Sequence, residues 1–180
     1  MPSIMTHGLV GAAAVAVAPC RNRRPALWLL SAGLSMVPDL DVMSYHLDLP
    51  RTSIWAHRGI SHSLVAALVV GALLAGLTRR GLSLGWPRLA LLLSLVMASH
   101  GFLDGFTHGG RGIAFFAPFD ANRYLFPFRP IPSAPFGLGY FSGRGLHAFE
   151  GEVLWVWLPT ILVVGVVTLV RLGRRPGETA

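Results

Sequence analysis

The chain consists of long apolar runs that are separated by polar segments, and the apolar runs predict its helices. The runs Leu84 to Phe106 and Val153 to Leu172 are long enough to cross a hydrocarbon core of roughly 30 Å, which takes about 20 helical residues. A third run, Ser63 to Leu77, approaches that length with the three residues before it and is followed by two arginines. The pattern predicts three transmembrane helices in these positions.

Two shorter apolar runs precede these helices. Ser3 to Pro19 and Pro25 to about Val42 reach spanning length only by including histidine and aspartate residues. We expect a tilted helical hairpin here, with a re-entrant hairpin as the alternative. Small residues such as Gly8 and Gly11 would let a neighbouring helix pack closely. A basic cluster follows the first run and none precedes it, which favours a retained helix over a signal peptide.

The segment between the fourth and fifth runs, Thr107 to Gly151, is rich in glycine, proline and aromatic residues. A structureless loop of this length is uncommon, so we expect it to fold over a membrane face as a lid or pocket wall. The predicted fold class is all-α. It is a polytopic membrane helical bundle of about five helices with a long loop between the fourth and fifth, in a single domain over residues 1–180.

Composition supports lipid as the solvent. Apolar types make up 53% of the residues and charged types 13%, against about 25% charged residues in ordinary soluble domains. The net charge of +7 comes from fifteen arginines and no lysine. Because these arginines cluster at the ends of apolar runs, they indicate membrane topology, and the lipid bilayer, not a nucleic acid, is the expected partner.

The arginines also predict the orientation, since short cytoplasmic loops carry the excess of basic residues. A five-segment chain places nine of them on one side: Arg21, Arg23, Arg24, Arg79, Arg80, Arg88, Arg171, Arg174 and Arg175. The amino terminus is then extracytoplasmic and the carboxyl terminus cytoplasmic.

The same topology gathers the histidines and carboxylates, apart from Glu178, on the extracytoplasmic side. Those near the helix ends are His7, Asp39, Asp41, His57, His62, His100, Asp104, His108, His147, Glu150 and Glu152. Ionisable groups near hydrocarbon are costly and are usually paired, solvated or bound to a metal. A shared polar site on this side is therefore expected.

The sharpest local pattern is His100-x-x-x-Asp104-x-x-x-His108, which puts three ligands on one helical face if the helix continues that far. Imidazole and carboxylate together suit zinc and similar divalent ions. Thr107 and the glycines after His108 indicate fraying, so His108 is the least secure of the three. The alternative is a hydrogen-bond network at the end of a helix.

Asp39 and Asp41 follow Pro38, where a helix meets the interface. Their carboxylates could bridge two metals, or one could bind a metal while the other orients a histidine. Alternatively, one caps a turn and the other is solvated.

The run from His57 to Ser63 reads as a tight turn entering a helix, with Gly59 permitting the turn and Ser61 as the helix cap. His57 and His62 can converge on one site across such a turn, and which of them is a ligand stays open.

Arg58 lies inside this turn, and two roles are open for it. It would either bind an anionic group such as a phosphate or pair with one of the two aspartates, Asp39 or Asp41. His7 joins the site because it lies at the correct helix end. His147 and Glu150 are candidate additional ligands, whereas Glu152 is expected to be a solvated interface residue.

Four elements resemble the membrane-bound metal-dependent hydrolase family, also described as LexA-regulated inner-membrane hydrolases. They are Thr6-His7 with Gly11, Pro38-Asp39-Leu40-Asp41, the run from His57 to Ser63, and His100-x-x-x-Asp104. The resemblance covers most of the first 110 residues. It implies a multi-pass protein of a bacterial or archaeal inner membrane with a divalent-metal hydrolase site.

The order of these residues is also similar to that in zinc-dependent phospholipases C and related nucleases, which use clustered zinc ions. That likeness implies His7, Asp39, His62 or His57, His100, Asp104 and His108 as metal ligands. It matches His147 and Glu150 to a final His-x-x-x-Glu pair, which is one residue shorter here.

The resulting hypothesis is a hydrolase with two or three divalent ions, zinc by preference, that acts on a phosphoester such as a phospholipid or a lipid-linked phosphate. Asp39 or Asp41 would bridge metals or act as base, and Arg58, with Arg111, would orient the anionic group. One alternative is a metal or proton transporter, although polar groups hardly continue toward the cytoplasmic side. A second is a non-catalytic membrane scaffold with a structural metal.

Overall fold

A computed structural model of the chain describes residues 1–20, 24–82, 84–135 and 137–174. Within these ranges the fold is helical and contains no β-strand, which confirms the predicted all-α bundle. Five helices form it: α1 (Ile4–Val17), α2 (Pro25–Met36), α3 (Leu64–Leu82), α4 (Trp86–Gly105) and α5 (Gly143–Gly173). The 3-10 helices are Val37–Tyr45, Ile60–His62 and Gly137–Phe141, and α5 contains a π-helical stretch, Val153–Trp157.

Four helices are long and apolar enough to cross a membrane. They are α2 together with its 3-10 extension (Pro25–Tyr45), α3, α4 and α5. Helix α1 has only 14 residues, so it is about 21 Å long and shorter than the hydrocarbon core. It forms a hairpin with α2, and α3 forms a second hairpin with α4.

Glycines allow both hairpins to close tightly, as predicted for the first. A Cβ atom on Gly11 of α1 would lie 2.5 Å from the carbonyl oxygen of Ser31 and from Oγ of Ser35 in α2. A Cβ atom on Gly71 of α3 would likewise collide with Ser94 of α4. The core between the hairpins is apolar: Val15, Leu27, Leu34, Ala67, Ala75, Leu82, Leu89, Leu93, Val96 and Met97.

At one end of the bundle, two arginines donate hydrogen bonds to the backbone of neighbouring helix ends. Arg24 donates a hydrogen bond to the carbonyl oxygen of Gly81 at 2.8 Å. Arg171 donates to the carbonyl oxygens of Ala16 at 2.7 Å and Val17 at 2.6 Å, where α1 ends. These helix ends therefore meet on one side, as the charge pattern predicted; Arg21, Arg23 and Arg175 lie outside the described residues.

The prediction of a loop from Thr107 to Gly151 was wrong at its carboxyl end, because α5 already begins at Gly143. The first turns of α5 carry polar side chains and several glycines, so the apolar run that signals a helix starts only at Val153. The remaining connection folds back over the helix ends. Phe126 packs on Phe102 and Phe106 at ring-centroid distances of 5.4 and 4.5 Å.

Candidate metal centre

Helices α1 and α4 bring three buried ionisable side chains together. His7 lies in the first turns of α1, and His100 and Asp104 lie one turn apart on the same face of α4. The rings of His7 and His100 stack with centroids 3.7 Å apart, and Nε2 of His7 lies 3.5 Å from Oδ1 of Asp104. All three side chains are fully buried.

Asp39 enters from the 3-10 extension of α2. Its Oδ1 lies 3.2 Å from Nε2 of His100, whereas Nδ1 of His100 lies 2.7 Å from the carbonyl oxygen of Ser35. A carbonyl only accepts hydrogen bonds, so Nδ1 carries a proton, and Nε2 of a neutral ring then turns a lone pair toward the carboxylate. A proton on Nε2 or a metal cation between the two atoms would satisfy both of them.

Asp41 orients the two histidines of the following turn. Its Oδ1 lies 2.6 Å from Nδ1 of His57, and its Oδ2 lies 3.1 Å from Nδ1 of His62. Oδ2 also accepts hydrogen bonds from the backbone N–H of Arg58, at 3.0 Å, and from the Ser61 hydroxyl. With Nδ1 held in this way, Nε2 of His62 is buried without a hydrogen bond and can bind a metal, which is the usual effect of a second partner on a metal-binding histidine.

The turn around His57 differs from the prediction in two residues. The positive φ of 65° falls on Arg58, not on Gly59, and a Cβ atom on Gly59 would collide with the carbonyl oxygen of Ile54. Ser63, not Ser61, caps α3, because its hydroxyl accepts a hydrogen bond from the N–H of Ala66 at 3.0 Å. The hydroxyl of Ser61 instead donates a hydrogen bond to Oδ2 of Asp41.

Arg58 pairs with a carboxylate that the sequence did not suggest. Its Nε lies 3.0 Å from Oδ2 of Asp104, and its terminal nitrogens donate to Oγ1 of Thr107 at 3.0 Å and to the carbonyl oxygen of Gly109 at 3.4 Å. Of the two roles left open for Arg58, pairing with the side chain of Asp39 or Asp41 is therefore wrong. Arg58 is buried and held in place at the edge of the cluster.

Three overlapping groups of side chains can hold a metal ion, with ligand atoms within 4.8 Å of one another. They are His7, Asp39 and His100; Asp39, His57 and His62; and His62, His100 and Asp104. Both His57 and His62 thus belong to a group, whereas Asp41 belongs to none of the three.

Several polar atoms of this cluster have no hydrogen-bond partner in the part of the chain that the structure describes. Within the described residues, both nitrogens of His7, both oxygens of Asp39, and Nε2 of His62 and of His100 are buried without a hydrogen bond. Buried polar groups without partners are rare and costly. Burial also lowers the pKa of His62, against the opposing effect of its hydrogen bond to Asp41, which favours the neutral ring that binds metals.

Three predicted ligands lie away from the cluster. Helix α4 ends at Gly105, so His108 is carried past the helix end, where its N–H bonds to the carbonyl oxygen of Ile131 at 2.9 Å. The side chains of His108, His147 and Glu150 are exposed. The structure therefore does not bring these three side chains to the other candidate ligands.

The interpretation of Glu152 as a solvated residue was wrong, because this side chain is fully buried. Its carboxylate accepts hydrogen bonds from the N–H of Ser3 at 2.7 Å and from the hydroxyls of Ser3 and Thr6 at 2.5 Å each. Trp157 donates to the same Thr6 hydroxyl at 2.7 Å. Glu152 thus ties α5 to the start of α1, directly before His7.

The fold and the site define a multi-pass helical membrane protein with a buried cluster of histidines and aspartates at one end. The chain belongs to the YdjM inner membrane protein family, whose model matches residues 1–174. It is similar to the inner membrane protein YbcI of Escherichia coli (strain K12), with 34% identity over 168 residues, which is 93% of this chain and 97% of that protein. No solved structure matches the chain.

These relationships confirm that the chain is a multi-pass protein of the inner membrane, embedded in the lipid bilayer. They also confirm the resemblance to an inner-membrane family. The names of the family and of YbcI refer to neither a metal nor hydrolysis, so metal binding and hydrolysis remain predictions.

Proposed function

We propose that this protein is a divalent-metal-dependent hydrolase whose site lies on the extracytoplasmic side of the inner membrane and acts on a phosphoester. The observation that carries the proposal is the set of buried imidazole and carboxylate atoms that face one another without hydrogen bonds. Nitrogen and oxygen ligands of this kind favour zinc, and three overlapping groups favour two or three ions. The orientation is supported by the arginines at the opposite end of the bundle.

A divalent ion in this cluster would polarise a phosphoryl oxygen and lower the pKa of a water molecule. Asp41 holds the rings of His57 and His62 through Nδ1, and Nε2 of His62 lies 3.6 Å from Oδ2 of Asp104 in the cluster. Asp39 has both oxygens without hydrogen bonds and lines an open cavity, so it is the side chain that we assign as proton acceptor. In the hydrolysis, the oxygen of water bonds to phosphorus, the bond from phosphorus to the leaving alcohol breaks, and the alcohol gains a proton.

Arg58 positions the anionic group. Its guanidinium is fixed by Asp104 and Thr107, and it also lines a cavity beside His57. A fixed guanidinium suits the planar, bidentate binding of a phosphoryl group.

A transporter is a weaker interpretation of the same cluster. An ion path would need polar groups that continue toward the arginine-rich end. The buried residues there, such as Val15, Leu82 and Leu89, are apolar. A structural metal in a non-catalytic scaffold would have a closed site, whereas cavities adjoin this cluster at Asp39 and at His57.

The test is hydrolysis of p-nitrophenyl phosphate and bis(p-nitrophenyl) phosphate by detergent-purified protein loaded with zinc, manganese or magnesium. We expect turnover that Asp39→Asn reduces by about 100-fold or more and that His147→Ala, at an exposed histidine outside the cluster, leaves unchanged. If the fully loaded protein hydrolyses neither compound, or if Asp39→Asn retains full activity, the proposal is wrong.

A further inference from the structure

A cavity lined by arginines opens next to the candidate metal site. We call this site, which consists of His7, Asp39, His57, His62, His100 and Asp104, the metal cluster. The cavity has a volume of 240 Å³, which is room for about eight water molecules and enough for a phosphoryl group. Arg51, Arg111 and Arg123 line it together with His57 and Arg58 from the cluster side. We call it the arginine pocket.

The described residues that line the arginine pocket include four arginines and no carboxylate. Within the described residues, Arg51, Arg111 and Arg123 form no ion pair. Arg123 donates to the carbonyl oxygens of His57 at 2.9 Å and Ser53 at 3.0 Å. Burial lowers the pKa of Arg123, the charge of Asp41 opposes this, and the charges of Arg111 and Arg58 add to the lowering. A pocket with this excess of guanidinium groups fits an oxyanion.

An apolar groove adjoins the other side of the cluster. Its inner part, with a volume of 370 Å³, runs between Ile4, Val42 and Pro135 and includes Asp39 in its wall. Its outer part, with a volume of 450 Å³, continues past Met5 and Leu146 at the start of α5. We call the two parts the chain groove.

The arginine pocket and the chain groove are neighbouring cavities beside the cluster, with Met1 and Ala134 between them. Met1 and Ala134 line both cavities, and the two inner walls carry His57 on one side and Asp39 on the other. The chain groove ends among outward-facing apolar side chains, since Phe141 is 86% exposed on the surface of a membrane protein. Tyr140 lines the groove, and its hydroxyl is buried without a hydrogen bond within the described residues, so it is available to an ester or hydroxyl oxygen of a ligand.

We infer that the substrate is a lipid phosphate whose phosphoryl group lies between the metal cluster and the arginine pocket and whose hydrocarbon chain lies in the chain groove. This inference rests on the proposed hydrolase function and narrows its substrate class. A soluble phosphoester would use only the charged half of the site. A lipid phosphate has an anionic end and an apolar end in the same order as the two cavities, and it would enter from the bilayer.

The test separates binding from hydrolysis. Native mass spectrometry of the full-length protein, released from nonionic detergent, measures the binding of phosphatidic acid, of diacylglycerol, which lacks the phosphate, and of glycerol 3-phosphate, which lacks the chains. We expect phosphatidic acid to bind at least about tenfold more tightly than either of the others. Diacylglycerol cannot form the charge-assisted contacts of the phosphate, and glycerol 3-phosphate has no hydrocarbon chain to bury.

Two variants and two matched controls assign the halves of the site. Arg111→Gln is expected to weaken the binding of phosphatidic acid about tenfold, whereas Arg88→Gln, at the opposite end of the bundle, leaves it unchanged. Met5→Trp, which fills the chain groove from an exposed position, should weaken it similarly, whereas Leu91→Trp, in an apolar cavity at the arginine-rich end, should not.

Equal binding of phosphatidic acid and diacylglycerol, or equal effects of each variant and its control, would overturn the inference while leaving the metal content and the hydrolysis of soluble phosphoesters intact. Binding of phosphatidic acid in the expected pattern supports the lipid site even where the metal-loaded protein fails to hydrolyse it, and that failure counts against the hydrolase proposal alone.

Discussion

The imidazole rings of His7 and His100 stack face to face, with centroids 3.7 Å apart and planes inclined by 16°. Two protonated rings in this arrangement would repel each other in a buried site, so at least one of the two rings is neutral, the form that binds metals. Because His7 comes from α1 and His100 from α4, a shared ion would also join the two helical hairpins. Metal binding and bundle stability should therefore be linked.

Asp41 is expected to act on the metal through the histidines that it holds. Asp41→Asn keeps the shape of the side chain but removes the carboxylate that orients His57 and His62, so metal affinity should fall about 10- to 100-fold without being abolished. The measurement is competition for zinc with a calibrated chelator. Asp48→Asn is the matched control, since Asp48 is exposed and has a φ of 49° that asparagine tolerates. Equal zinc affinity in both variants would exclude an orienting role for Asp41.

Glu152 is predicted to stabilise the junction of α5 with α1. Glu152→Ala leaves the N–H of Ser3 and the hydroxyls of Ser3 and Thr6 without their acceptor, which should cost about 2–4 kcal/mol of unfolding free energy. Thermal unfolding in detergent should show a melting temperature lower by several degrees. Glu150→Ala, at an exposed carboxylate two residues earlier, should change it little. A similar melting temperature for both variants would contradict the contacts described for Glu152.

The first hairpin should be sensitive to added volume at Gly11. Gly11→Ala places a methyl group against Ser31 and Ser35, and overpacking of this kind costs about 1–3 kcal/mol, partly offset by the better helix propensity of alanine. Gly33→Ala is the control, because a Cβ atom at Gly33 would meet no atom within 4 Å. The melting temperature of Gly11→Ala should be lower than that of wild type, and the melting temperature of Gly33→Ala should be equal to or higher than that of wild type. The reverse order would show that α1 and α2 pack differently.

The orientation of the chain can be tested with its one cysteine, Cys20, which follows α1 at the arginine-rich end. In cells with a permeabilised outer membrane, a membrane-impermeant maleimide should not label Cys20 until the inner membrane is opened. A cysteine at exposed His147, in a Cys20→Ser background, should be labelled at once. Labelling of Cys20 from outside would place the cluster of buried histidines and aspartates on the cytoplasmic side.

Much of this arrangement could be predicted from the sequence because lipid restricts the choices. Apolar runs of spanning length must be helices, and their order decides which ends share a face, so His7, Asp39, His62 and His100 could be expected at one end. The sequence offered a separation of roles between Asp39 and Asp41 as one alternative, but it could not show which aspartate has which role. The assignment depends on the 3-10 geometry of Val37–Tyr45, which no residue pattern signals.

The missed features share a physical cause. Glu152 precedes an apolar run, as an interfacial residue does. Only the fold shows that α1 begins beside it, where the N–H of Ser3 needs a hydrogen-bond acceptor. Similarly, the pairing of Arg58 with Asp104 joins residues far apart in sequence through a turn and a helix end. The position of His108 depended on where α4 stops, and the glycines after it were the available signal.

The most direct test of the central claim is the metal content of detergent-purified protein, measured by inductively coupled plasma mass spectrometry for wild type and for His100→Ala, Asp104→Ala, His108→Ala and His147→Ala. We predict two or three divalent ions per chain in wild type and in the variants of exposed His108 and His147, and fewer in the variants of buried His100 and Asp104. A wild-type protein without bound divalent metal, or His100→Ala and Asp104→Ala proteins with unchanged metal content, would contradict the account.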